Sequence, residues 1–173
     1  MLGLWARMWG ANRILMADID DGRLAFAQEL GFRDTFNPRT GDVVAWIKDT
    51  TQRGADVVFE ASGSSAAFEQ SVLSARTFGR VVLMGNPSGE MRLSQKAYWA
   101  ILRNELKVFG TWNSVYSRLP RNEWRLALDA MASGALDLAP LVTHRVSLRE
   151  LPEAMAAMRD KRVAMNKLMY VHG

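Results

Sequence analysis

Cysteine is absent from this 173-residue chain, and histidine occurs only twice, at His144 and His172. The first absence excludes disulfides and thiolate metal sites and accords with a reducing compartment, so the cytoplasm is the expected location. The second leaves too few imidazoles, too far apart, for a protein-built zinc centre, and His144 reads as structural rather than as a ligand. Long apolar runs are also missing: no segment reaches the ~20 residues that cross a bilayer. Met1 to Gly10 is apolar (Leu2, Leu4, Trp5, Met8, Trp9), but it is too short to span and carries no small-residue cleavage site. Basic residues outnumber acidic ones by 22 to 18, a net charge of +4. They are scattered, with Glu123 and Asp129 breaking up Arg118, Arg121 and Arg125. No Lys/Arg run interleaves with aromatics as single-strand binders require. A solvated face is therefore expected, with neither nucleic acid nor membrane as partner. Internal repeats and low-complexity segments are absent too.

What is present is ordinary globular composition, 49% hydrophobic and 23% charged, at a length that suits one to one and a half domains. Short apolar runs alternate with helical periodicity. Strands are predicted at 13–18, 55–60, 80–84, 106–111, 143–147 and 167–171, with a short extended piece at 34–36. Helices are predicted at 1–9, at 21–30 with Gly31 as the stop, from Val43 to near Gly54, and at 66–77, 96–102, 123–133 and 151–158. Pro152 falls in the first turn of the last helix, and Met155 and Met158 fall at core spacing. Strands of about five residues separated by helices, with no hairpin signal, predict right-handed crossovers and a doubly wound parallel sheet of the α/β class. Pro140 separates residues 1–140, a nucleotide-binding core, from a strand–helix–strand tail at 141–173.

The stretch Arg13 to Arg23 says most about a ligand. Ile14 to Ala17 reads as a buried strand that ends at Asp18, followed by the N-cap residues Asp20 and Asp21 and a helix. An acidic residue at that strand tip is placed to accept hydrogen bonds from an adenosine ribose, and its charge repels the 2′-phosphate of NADP. The alternative for Asp18 is a solvated carboxylate. Met84, Gly85 and Asn86 follow a later strand, at the crevice beside carboxyl strand ends where open sheets bind ligands.

Four stretches carry a resemblance: Ala17-Asp18-Ile19-Asp20 with Leu24 to Gly31; Phe59-Glu60-Ala61-Ser62-Gly63; Val82-Leu83-Met84-Gly85; and Leu138 to Arg145. Together they resemble the coenzyme-binding half of the zinc-containing medium-chain dehydrogenases, and within them the polyol and sugar-alcohol group. Ile101 to Trp112 with Glu123-Trp124 is similar to its galactitol-1-phosphate 5-dehydrogenase branch. The resemblance implies a Rossmann-like domain, NAD as cofactor, and a small-molecule polyol or sugar-alcohol phosphate as substrate of the intact enzyme. It also implies a function, hydride transfer from a sugar alcohol to NAD.

The resemblance assigns further residues. Arg23 resembles the basic residue that reaches the adenosine ribose or its phosphate; otherwise it is a surface side chain. Ala61, Ser62 and Gly63 border the adenine through their backbone, and Gly63 also suits a turn. Met84, Gly85 and Asn86 meet the nicotinamide carboxamide, as do Phe109, Gly110 and Thr111 after the next strand; Phe109 alone would suit a core. Lys167 resembles a residue near the pyrophosphate, with a surface lysine as the alternative. In the family the zinc ligands and proton relay lie on an N-terminal domain, and the first strand and glycine-rich turn precede the position of Met1. The chain is thus expected to lack them, to offer no catalytic residue or metal ligand, and to be inactive alone. The rival reading is a non-enzymatic nucleotide-binding or interaction module. An unpaired sheet edge predicts poor solubility or self-association, with Trp5, Trp9 and Trp99 exposed. Relatives dimerise around Leu106 to Thr111, which makes a homodimer the other outcome.

Overall fold

The computed structural model describes residues 1–113, 122–160 and 162–172; Arg118 and Arg121 lie outside them. The chain forms two compact units, Met1–Thr35 with Val115–Gly173, and Phe36–Ser114.

In the first unit, α1 (Leu2–Met8) precedes β1 (Leu15–Ala17), α2 (Asp21–Glu29) and β2 (Asp34–Phe36, whose last residue belongs to the second unit). Gly3 is the buried residue of α1. A Cβ there would press into the Met16 side chain and come within 2.8 Å of the Phe32 ring, so glycine lets the helix approach β1 closely. Arg7 lays its guanidinium 4.1 Å above that ring and donates to the Leu30 carbonyl at 3.1 Å, a cation–π contact backed by a hydrogen bond. Strands β1 and β2 pair, and Arg13 grips Asp34 through Nε at 2.8 Å and Nη2 at 2.9 Å. Later in the chain come α3 (Glu123–Ala132), β3 (Val142–Val146), α4 (Leu151–Arg159) and β4 (Lys167–Tyr170), the two strands parallel. Leu24, Phe32, Leu136 and Leu141 are buried in this unit.

The second unit carries α5 (Val43–Thr51), β5 (Ala55–Glu60), α6 (Ser65–Ser74), β6 (Ala75–Leu83), α7 (Gln95–Arg103) and β7 (Lys107–Gly110). Its sheet runs β5-β6-β7, with both pairs parallel. Register sets Glu60 beside Leu83, and Leu83 beside Gly110. All three strands therefore end in one row, and the loops that follow them leave from the same edge. Helix α6 packs on β5 and β6 with α5 and α7 beside it. Val72 and Val81 are fully buried there, and Phe36 stacks on Trp46 at 5.0 Å.

Three expectations need correction. The helix predicted over 66–77 ends at Ser74, because Ala75 turns extended and pairs with Ala55. Strand β6 therefore starts five residues before Arg80 and accommodates the extra residues as an irregularity between Ala75 and Arg80. The α/β class with parallel strands stands as expected, the strands falling into the hydrogen-bonded groups β1-β2, β3-β4 and β5-β6-β7 among the described residues. Met155 and Met158 are exposed, as no residue of α4 is buried. Trp5 is half-buried, whereas Trp9 and Trp99 are exposed as expected.

Candidate functional site

At the tip of β1, Asp18 keeps a 31% exposed side chain. Its Oδ1 accepts from the Asp20 backbone N–H at 3.0 Å, and Oδ2 lies 3.6 Å from Arg23 Nη1. Asp20 then accepts from the Arg23 N–H and caps α2. The local sequence does this unaided: short acidic side chains fold back on the next turn's N–H groups and start the helix. The carboxylate is thus fixed at a strand tip, partly open to solvent, with one exposed arginine as its companion. Lys167 opens β4 and is exposed. His144 Nδ1 sits 3.0 Å from Thr143 Oγ1.

The second unit supplies the remaining candidates, on the loops that leave the aligned strand ends. Glu60, only 3% exposed, closes β5. Its Oε1 accepts from the Ser62 N–H at 2.8 Å, the Ser62 hydroxyl at 2.9 Å and the Gly63 N–H at 2.9 Å. Its backbone carbonyl accepts from the Met84 and Gly85 N–H groups at 2.8 and 3.0 Å. Gly63 takes φ +72° and is buried; a Cβ there would collide with the Asn86 carbonyl. The Gly63 carbonyl in turn accepts from the Ser88 N–H and hydroxyl at 3.1 and 3.2 Å. Ala61 and Ser62 are exposed.

Beyond β6 and β7, a cavity of about 330 Å³ is lined by Met84, Asn86, Thr111, Trp112 and Asn113. The Thr111 N–H donates to the Leu83 carbonyl at 3.0 Å, joining these two loops. Met84, Asn86 and Thr111 are thereby brought together as read from sequence. Phe109 and Gly110 lie inside β7, every residue of which is exposed, and the Phe109 ring is 47% accessible rather than core. Sequence reasoning did not single out Glu60, Ser88, Trp112 or Asn113. Glu60 and Trp112 stand inside the quoted motifs, but nothing local marks a role for them.

The zinc-binding dehydrogenase family model matches residues 1–133. The chain belongs to the zinc-binding dehydrogenase family. Similar members of this family include the L-idonate 5-dehydrogenase of Vitis vinifera, 33% identical over 85% of this chain and 39% of its own length. The sorbitol dehydrogenase of Bacillus subtilis is 30% identical over 95% of this chain and 45% of its own length. Among solved structures, galactitol-1-phosphate dehydrogenase from Escherichia coli superposes with a TM-score of 0.81 at 26% identity, covering 95% of this chain and 49% of that one. A zinc-binding dehydrogenase from Sinorhizobium meliloti bound to NADP gives 0.81 at 27% identity, covering 98% and 48%. The chain thus spans between 39% and 49% of the length of these zinc-binding dehydrogenases.

The family's metal does not fit the residues described. The sequence has no thiolate to offer, and no cluster of three or more His, Asp or Glu arranged to hold an ion occurs among the described residues. Among the described residues no helix is long and apolar enough to cross a membrane.

Proposed function

We propose that this chain is the coenzyme-binding part of an NAD-dependent, zinc-type polyol dehydrogenase, which transfers hydride from a sugar alcohol or its phosphate to NAD. Residues 1–140 form the nucleotide-binding core and 141–173 a tail that belongs with the catalytic part of such enzymes. The observation that carries this reading is Asp18, held at the tip of β1 with its carboxylate part-exposed. A ribose diol would donate to it, and Arg23, 3.6 Å away, would swing toward the same ribose or a neighbouring phosphate. In the other unit, the Ala61-Ser62-Gly63 turn offers backbone to the adenine. Met84, Gly85 and Asn86, with Phe109, Gly110 and Thr111, offer backbone to the nicotinamide end. Lys167 would face the pyrophosphate.

When bound, the nicotinamide accepts the hydride; the residues of this chain bind and orient the ring and do not activate the alcohol. By itself the chain should be inactive. The strand β7, exposed throughout, is the surface on which a second copy would dock, and the cytoplasm is the compartment consistent with a cysteine-free chain.

Calorimetric titration with NAD and NADP, on the parent and on Asp18→Ala, tests this. NAD binding that weakens at least tenfold in the variant, with NADP binding weaker than NAD in the parent only, is the expected result. NAD binding indifferent to Asp18, or parent binding that favours NADP, would overturn the assignment of the cofactor.

A further inference from the structure

Two loops at the carboxyl edge of the β5-β6-β7 sheet are tied together through one residue that plays no part in the chemistry above. Glu60 is almost fully buried. One carboxylate oxygen gathers three donors from the turn after β5, the Ser62 N–H and hydroxyl and the Gly63 N–H. Bonds from neutral donors to a charged oxygen are the stronger sort, and they gain further where water is excluded. The same residue's backbone carbonyl receives the Met84 and Gly85 N–H groups that begin the turn after β6. Its second oxygen faces the other turn, for a Cβ on Gly85 would lie 2.6 Å from Oε2. The Gly63 carbonyl completes the link by accepting twice from Ser88.

Each bond by itself is an ordinary strand-end device. Their convergence on one buried carboxylate is not needed to end a strand, because an Asp or Ser cap on an exposed turn would satisfy Ser62 and Gly63 equally. What the convergence adds is a fixed distance between the turn at 61–64 and the turn at 84–88. Neither glycine tolerates a side chain across that junction: Gly63 is closed off by the Asn86 carbonyl and Gly85 by the Gly63 N–H.

We propose that Glu60 is a positioning residue that couples the 61–64 and 84–88 turns into a single rigid element, presenting both to the dinucleotide at one set separation. The part concerning the dinucleotide rests on the cofactor reading given above; the coupling itself does not.

The test is residue-resolved amide hydrogen exchange on the parent, Glu60→Gln and Ser62→Ala, with NAD titration of the same three proteins. Glutamine keeps the shape but loses the charge and turns an N–H toward Gly85. It should speed exchange at Ser62 and Gly63, and also at Met84, Gly85 and Ser88 in the other turn, by tenfold or more. Val171, whose N–H bonds to the Val146 carbonyl in the other unit, should exchange as before. Acceleration limited to Ser62 and Gly63, or no acceleration, overturns the coupling. If Glu60→Gln exchanges faster everywhere, Val171 included, Ser62→Ala decides: it must speed Gly63 and Ser88 while sparing Val171, and failure overturns the proposal. With NAD, Glu60→Gln should raise Kd at least tenfold; an unchanged Kd overturns the role toward the cofactor. A parent that binds no NAD refutes the cofactor reading, and the exchange result still stands or falls alone.

Discussion

Replacing Gly85 by alanine isolates the junction between the two strand-end turns in a single methyl group. The new Cβ would overlap the Gly63 backbone N–H, lie 2.7 Å from the Gly63 Cα and 2.6 Å from Glu60 Oε2. Two of those neighbours are backbone, and the third is a carboxylate held by three hydrogen bonds, so none can retreat cheaply. Gly85 does not occupy the left-handed region, which confines the penalty to crowding. Overpacking a tight site costs about 1–3 kcal/mol, and the rigidity of these partners argues for the upper half, about 2–3 kcal/mol. For a chain of this size each kcal/mol moves the thermal midpoint by about 2–4 °C, giving a fall of about 4–12 °C. Gly89→Ala is the matched control, since a Cβ there meets nothing within 4 Å. Thermal unfolding followed by circular dichroism, on the parent and both variants, gives the comparison. Should Gly85→Ala melt within about 2 °C of the parent, the turns are not in the close contact described, and the coupling through Glu60 loses its steric half.

Asp42→Ala should cost about 1 kcal/mol, measured by urea denaturation, because the Asp42 carboxylate caps α5 by accepting from the Val44 and Ala45 N–H groups at 2.9 and 3.1 Å. Stability should also fall on the acid side. The Arg13 guanidinium holds the Asp34 carboxyl below its ordinary range, and Arg76 does the same for Asp56. A group depressed in the folded state contributes stability that is complete above the unfolded carboxylate value of about 3.9 and is lost as pH falls toward the lower folded value. Urea midpoints should therefore hold steady from about pH 7 to 5 and drop toward pH 3, and the drop should shrink in an Asp34→Asn, Asp56→Asn double variant. An identical drop in that variant would assign the acid sensitivity to other carboxylates.

Local chemistry made much of this fold readable. Asp20, Asp42, Ser64, Ser94 and Asn122 each stand before a helix and each accepts from an N–H of its first turn, so the starts of these five helices are written within four residues. The strand-end rule pointed to Met84, Gly85 and Asn86, and Met84 and Asn86 line one cavity with Thr111, a residue named from the resemblance. Two features were not readable for the same reason, that their cause lies far off in sequence. Ala75-Arg76-Thr77 suits a helix as well as a strand. Only the pairing of Ala75 with Ala55, and of Arg76 with Asp56 at 2.5 Å, twenty residues away, makes it extended.

Glu60 is the sharper case. An acidic residue at the end of an apolar strand reads either as facing a ribose or as a solvated tip, the two readings weighed for Asp18. The two carboxylates differ in what comes after them. Asp18 is followed by a helix cap that takes only one of its oxygens, leaving it 31% exposed. Glu60, one methylene longer, reaches back under its own turn, and a neighbouring glycine strand-end closes over it until 3% remains. Burial of a charged group is costly unless its donors are supplied, and here they come from the turn it organises. Two acidic residues at comparable strand ends thus differ in burial, Asp18 staying part-exposed and Glu60 closed in, and the close approach of Gly85 accompanies the second outcome.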